Sequence, residues 1–128
     1  MSQAQRLYSR SKAIALAKKM DGYYCQIGGM GGPNAKSEVQ GAHVVHAGSG
    51  GNPKGHDPFN IITLATEWHR LFDLGSRAGP LDLRGFRLHD IQITKWDRRD
   101  RRDGLHIKGK FENGWRDVPK RLLYFYLT

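Results

Sequence analysis

The 128-residue chain has a single cysteine, Cys25. An intramolecular disulfide and a four-cysteine structural zinc site are therefore both excluded, and a reducing, cytoplasmic setting is expected. No stretch approaches the roughly 18 apolar residues of a membrane span. The opening MSQAQRLYSRSK also lacks the apolar core of a secretory signal. Neither a membrane partner nor ordinary export is predicted. Acids are scarce as well: 12 Asp and Glu face 21 Lys and Arg, for a net charge of +9. That balance favours a polyanionic partner such as nucleic acid.

The imbalance is uneven along the chain. Residues 1–20 contain five bases and no acid, residues 21–75 three bases and five acids, and residues 76–128 thirteen bases and seven acids. A near-neutral middle rich in His, Gly and Asn between two cationic flanks is the layout of a chemical site between gripping arms. Residues 3–20 read as a basic helix stopped by Asp21-Gly22. Nine of the 28 residues from Gly28 to Gly55 are glycine, which predicts turns and loops around a short strand near Val39–Val45. Ile61–Ala65 is an apolar, β-branched run suited to a strand, after which Thr66 is expected to cap a helix ending at Gly75. Phe86–Thr94 and Leu105–Phe111 alternate like strands around the run WDRRDRRDG, and the closing VPKRLLYFYLT is expected to pack back on the domain.

Potentially reactive groups concentrate in GAHVVH and GHDPFNIITLATEWHRLFD, which hold His43, His46, His56, Asp57, Asn60, His69 and Asp73. On a helix, His69 and Asp73 share one face with Cβ atoms about 6 Å apart, a spacing that lets both bind one divalent ion. A histidine from the preceding strand can stand beside that ion as a base, because its ordinary pKa of about 6.5 leaves it largely neutral at pH 7.

These residues resemble the HNH nuclease family, whose ββα-metal motif combines a strand His, a loop Asn and a helix His. Ala42-His43-Val44-Val45 is similar to the family's strand, and Asp57-Pro58-Phe59-Asn60-Ile61 to its Asp-Pro-x-Asn-Leu hairpin. His69 follows Asn60 by nine residues. Gly22-Tyr23-Tyr24-Cys25-Gln26-Ile27-Gly28-Gly29 resembles the segment that carries the first CxxC of a structural zinc site in many members. Here Gly28, Ala65 and Trp68 stand where the other three cysteines would be. Packing around Ile27, Leu64 and Trp68 is expected to replace the lost metal.

The resemblance implies that His43 is the general base, that Asn60 holds the hairpin and that His, and that His69 and Asp73 bind the metal. The residue before the base, often an acidic or histidine ligand in the family, is Ala42. His46 is the chosen substitute, with His56 and Asp57 as neighbouring candidates. A second register would make His46 the base. The implied reaction is DNA phosphodiester hydrolysis, by nicking or double-strand cleavage, with Mg2+ or Mn2+ as the cellular ion and Ni2+ or Zn2+ also compatible with the ligand types. Phages and mobile elements encode compact proteins of this kind. Arg6, Arg10, Lys18 and Lys19 on the first helix, and Arg98, Arg99, Arg101 and Arg102 in the later run, are the expected phosphate contacts.

The fold expected is a small α+β domain spanning 1–128: a basic helix (1–21), a central ββα-metal core (22–75) and a basic, β-rich C-terminal extension (76–128). The competing function is a DNA- or RNA-binding module with an inactive HNH site.

Overall fold

The computed structural model describes residues 8–28, 31–45, 56–83, 86–100 and 103–119. Helix α1 (Arg10–Met20) begins where Ser9 caps it, the Ser9 hydroxyl accepting the Lys12 N–H at 3.2 Å. It therefore starts later than the sequence pattern suggests, with Tyr8 and Ser9 already outside the helix. Ala13 and Ala17, four residues apart, are its buried face. Such small side chains let the helix lie close to the hairpin beneath it.

That hairpin is built from β1 (Val39–His43) and β2 (Ile61–Ala65), antiparallel in a register that opposes Val39 to Ala65 and His43 to Ile61. Every residue of β2 is buried, which explains its unbroken apolar reading: both faces are covered. Ile61 packs against Ala13, Ala17 and Ile14 of α1, while Ile62 and Leu64 enter the main core on the other side. Gly41 permits the α1 contact, since a Cβ there would fall 2.8 Å from Ile14 and 3.0 Å from Ile61.

Strand β2 passes directly into α2 (Thr66–Leu74). The N-cap position is consequently Ala65, the last strand residue, and Thr66 is the first helical residue rather than the cap. With no loop residue between the elements, the Thr66 hydroxyl instead donates to the Glu38 carbonyl at 3.3 Å. Helix α2 buries Trp68 and Leu71 and ends at Gly75, whose φ of 59° suits a residue without a Cβ.

Two antiparallel sheets follow. The segment expected as one strand over 86–94 is two, because the chain breaks at His89. Strand β3 (Leu81–Leu83) pairs with β4 (Phe86–Leu88), and β5 (Asp90–Trp96), β6 (Leu105–Phe111) and β7 (Gly114–Asp117) form a three-stranded sheet in that order. Alternation along β6 is complete, with Leu105, Ile107, Gly109 and Phe111 buried and His106, Lys108 and Lys110 exposed. A register shift between Ile93 and Lys95 bulges β5 at Thr94. One apolar cluster runs from Cys25, Ile27, Leu64, Trp68 and Leu71 into Leu88, Ile91, Ile107 and Val118, so the hairpin–helix unit and the later sheets share a core. Val118 docks the start of the closing segment, its N–H donating to the Ile107 carbonyl at 2.9 Å; the residues from 120 onward lie outside the described ones.

Candidate active site

The end of β1 is held by Asn60. This residue closes a short 3-10 turn, Pro58–Asn60, which Asp57 caps by accepting the Phe59 N–H at 2.9 Å. Its side-chain Oδ1 accepts the Val45 N–H at 3.0 Å, and its Nδ2 donates to the Val45 carbonyl at 2.8 Å. The Asn60 carbonyl in turn accepts the Val44 N–H at 2.8 Å. Three hydrogen bonds thus fix the two residues that follow His43. An amide side chain suits this position because it supplies a donor and an acceptor from one planar group.

His43 is half-buried at the end of β1. The His56 ring meets it edge-on, with centroids 5.6 Å apart and planes at 71°. His43 Nε2 and His56 Nδ1 are both shielded from solvent. The structure therefore places His56 of the loop beside the candidate base. His46 lies outside the described residues.

Helix α2 carries the other half of the site. His69 Nε2 stands 3.1 Å from Asp73 Oδ2 across one helical turn. On the far side of the ring, His69 Nδ1 lies 2.6 Å from Gln40 Oε1. The β1 side chain that meets His69 is therefore Gln40, not His43. Strand alternation explains the split: Gly41 faces α1, as does Ile61, the cross-strand partner of His43, whereas Ala42 lies in the core with α2.

Gln40 has a chemical consequence for its neighbour. The Gln40 amide meets one ring nitrogen of His69 while the other faces the Asp73 carboxylate, so the ring is held from both sides. Hydrogen bonding through the nitrogen away from the metal is the usual support of a ligating histidine. Gln40 was not legible as a site residue: its signal is only its place three residues before His43, on the helix-facing side of the strand.

Among the described residues, no group of three or more His, Cys, Asp or Glu side chains could hold a metal ion. His69 and Asp73 supply one imidazole nitrogen and one carboxylate, a mixed donor pair that a divalent ion can share.

The first position of the absent zinc site is still recognisable. Cys25 is buried, and the backbone N–H groups of Ala65, Gly28 and Ile27 point to its sulfur, the Gly28 contact being 3.4 Å. Burial outweighs these donors and pushes the thiol pKa up. Gly28 and Ala65 thus do gather around Cys25, while Trp68 fills the adjoining core.

The expected phosphate contacts divide. Arg10, Lys19 and Arg99 are exposed and Lys18 is partly exposed. Arg99 hydrogen-bonds Asp97, holding that carboxyl below the usual range, and its guanidinium lies 5.6 Å from the ring of the exposed Phe59. Arg98 is corrected outright. Its side chain is only 11% exposed and is paired with Asp21, so its guanidinium points inward rather than to a phosphate. Trp96, two residues before it, stacks with Arg98 and donates to the Ile61 carbonyl at 3.2 Å. Arg6, Arg101 and Arg102 lie outside the described residues.

Residues 25–78 match the family model described as HNH endonuclease, a span that contains His43, Asn60, His69 and Asp73. Over that segment the chain is similar to HNH endonucleases, and the β-rich C-terminal region follows it in the fold. No curated protein and no solved structure matches the chain.

Proposed function

We propose that the protein is a metal-dependent endonuclease that hydrolyses DNA phosphodiester bonds. The observation that carries this reading is the geometry inside the matched segment: a His69–Asp73 pair braced by Gln40 on the same strand that ends in His43. The similarity of that segment to HNH endonucleases supports a nucleic-acid substrate. The exposed Arg10, Lys19 and Arg99 supply sequence-independent attraction for a phosphate backbone.

His43 would take the proton from the attacking water, with Asn60 keeping the backbone beyond it in place. His69 and Asp73 would hold a divalent ion, with His46 as a further proposed ligand. When bound, the ion supplies positive charge to stabilise the charge that develops on the phosphate and the leaving oxygen. Gln40 would keep the His69 ring oriented throughout.

The test is supercoiled plasmid incubated with the full chain in Mg2+, Mn2+ or EDTA, beside His43→Ala and His69→Ala. Metal-dependent conversion to open-circular or linear DNA is expected from the wild type, with a loss of at least a hundredfold in His43→Ala while DNA binding persists. Equal cleavage by His43→Ala would remove it as the base. Salt-sensitive DNA binding with no cleavage in any metal would replace the nuclease by a binding module.

A further inference from the structure

We propose that Arg98 is a positioning residue through which the C-terminal sheet fixes the backbone around His43; its effect on cleavage rests on the nuclease reading above. Asp21, at the end of α1, has a side chain only 1% exposed and receives the Arg98 guanidinium through both carboxylate oxygens. Asp21 Oδ2 also accepts the Thr63 N–H at 3.2 Å, tying the ion pair to β2. The remaining guanidinium edge reaches the hairpin turn, where Nη1 donates to the Pro58 carbonyl at 3.1 Å and Nη2 to the Ile61 carbonyl. Trp96 donates to that same Ile61 carbonyl and lies under the guanidinium, whose centre is 5.2 Å from the ring.

Pro58 and Ile61 bracket Asn60, the residue that holds Val44 and Val45, and Ile61 is the cross-strand partner of His43. One planar cation therefore spans α1, the Asn60 turn, and the sheet that contributes Trp96. Lysine could not do this: an ammonium is a compact centre, whereas the guanidinium presents donors along two edges. A buried pair of this kind is not assumed to add net stability. Its distinctive product here is the fixed placement of two carbonyls beside the candidate base. The contact crosses from outside the matched HNH segment, so the β-rich extension acts on the site without touching substrate.

The experiment compares full-length wild type, Arg98→Lys and Arg98→Met by amide hydrogen exchange in the absence of DNA, together with plasmid-cleavage kinetics in Mg2+ or Mn2+. In both variants, exchange at Val44 and Val45 should accelerate tenfold or more, while the β6 amide of Ile107 keeps its wild-type rate. In cleavage, kcat should fall at least tenfold with KM within twofold of wild type, Arg98→Lys falling less than Arg98→Met. Uniform acceleration across the chain, or no change at Val44 and Val45, would overturn the positioning role. So would a rise in KM with kcat intact, the signature of a direct phosphate contact. If Arg98→Met does not fold, Arg98→Lys carries the same test. A wild type that cleaves nothing would refute the nuclease reading, while the exchange measurement still decides whether Arg98 fixes this backbone.

Discussion

Replacing Trp68 by alanine is expected to remove a large share of the stability of the protein. Trp68 is 1% exposed and belongs to the main core with Cys25, Ile27, Leu64 and Leu71. Truncating a buried tryptophan costs about 3–5 kcal/mol, through lost transfer energy and the cavity left behind. A chain of this size has a total stability of roughly 6–19 kcal/mol. Its unfolding entropy near the midpoint is about 0.27 kcal/mol per kelvin, so the loss corresponds to a fall in Tm on the order of 10–20 °C. Urea denaturation followed by far-ultraviolet circular dichroism avoids the overlapping fluorescence of the three tryptophans. Trp68→Phe should recover more than half of the loss by refilling most of the volume. A loss below about 1 kcal/mol for Trp68→Ala would refute the argument that apolar packing holds the region where a metal cross-link is absent.

Gln40→Leu removes the hydrogen-bond partner of His69 Nδ1. Calorimetric titration with Mn2+ should show affinity reduced by about ten- to a hundredfold, with Tm changed by only a few degrees because Gln40 is exposed; unchanged affinity would remove Gln40 from the site. Cys25 should react with a thiol reagent at pH 8 far more slowly in the native protein than in urea, since its thiol is buried and its pKa is raised. The unfolded thiol ionises first, so this contribution to stability is intact below the ordinary thiol pKa and disappears as pH rises through the folded value. Comparing urea midpoints of wild type and Cys25→Ala from pH 7 to 10 should therefore show a steeper alkaline decline in the wild type, by at most about 1.4 kcal/mol per pH unit; parallel profiles would contradict the burial argument.

The parts legible in the sequence are those whose cause is local. The hairpin, the helix after it and the Asn60–His69 spacing follow from apolar runs, glycines and a short motif, and the structure puts β1, β2 and α2 where that pattern predicts. Arg98 shows the limit. Within WDRRDRRDG it is indistinguishable from its neighbours, and its partner Asp21 lies 77 positions away. Only the folded chain separates the buried arginine from the exposed Arg99. Gln40 is silent in the sequence for a related reason: an amide in a short strand carries no motif until a helix places His69 opposite it. Cap preference points to Thr66 because it assumes a connecting residue, and β2 runs into α2 without one.

The two hydrogen bonds between Asn60 and Val45 also act as a register lock. Side chains alternate along β1 with a period of two, so a one-residue slip against β2 would exchange the faces of Gln40 and His43. Both elements could remain paired, yet the His69 brace would point toward α1 and the candidate base toward the core. Five residue pairs constitute the whole ladder, too few to make such a slip energetically remote by themselves. In this fold the faces that Gln40 and His43 present are a matter of phase, which the asparagine at the mouth of the hairpin holds together with the buried packing of β2.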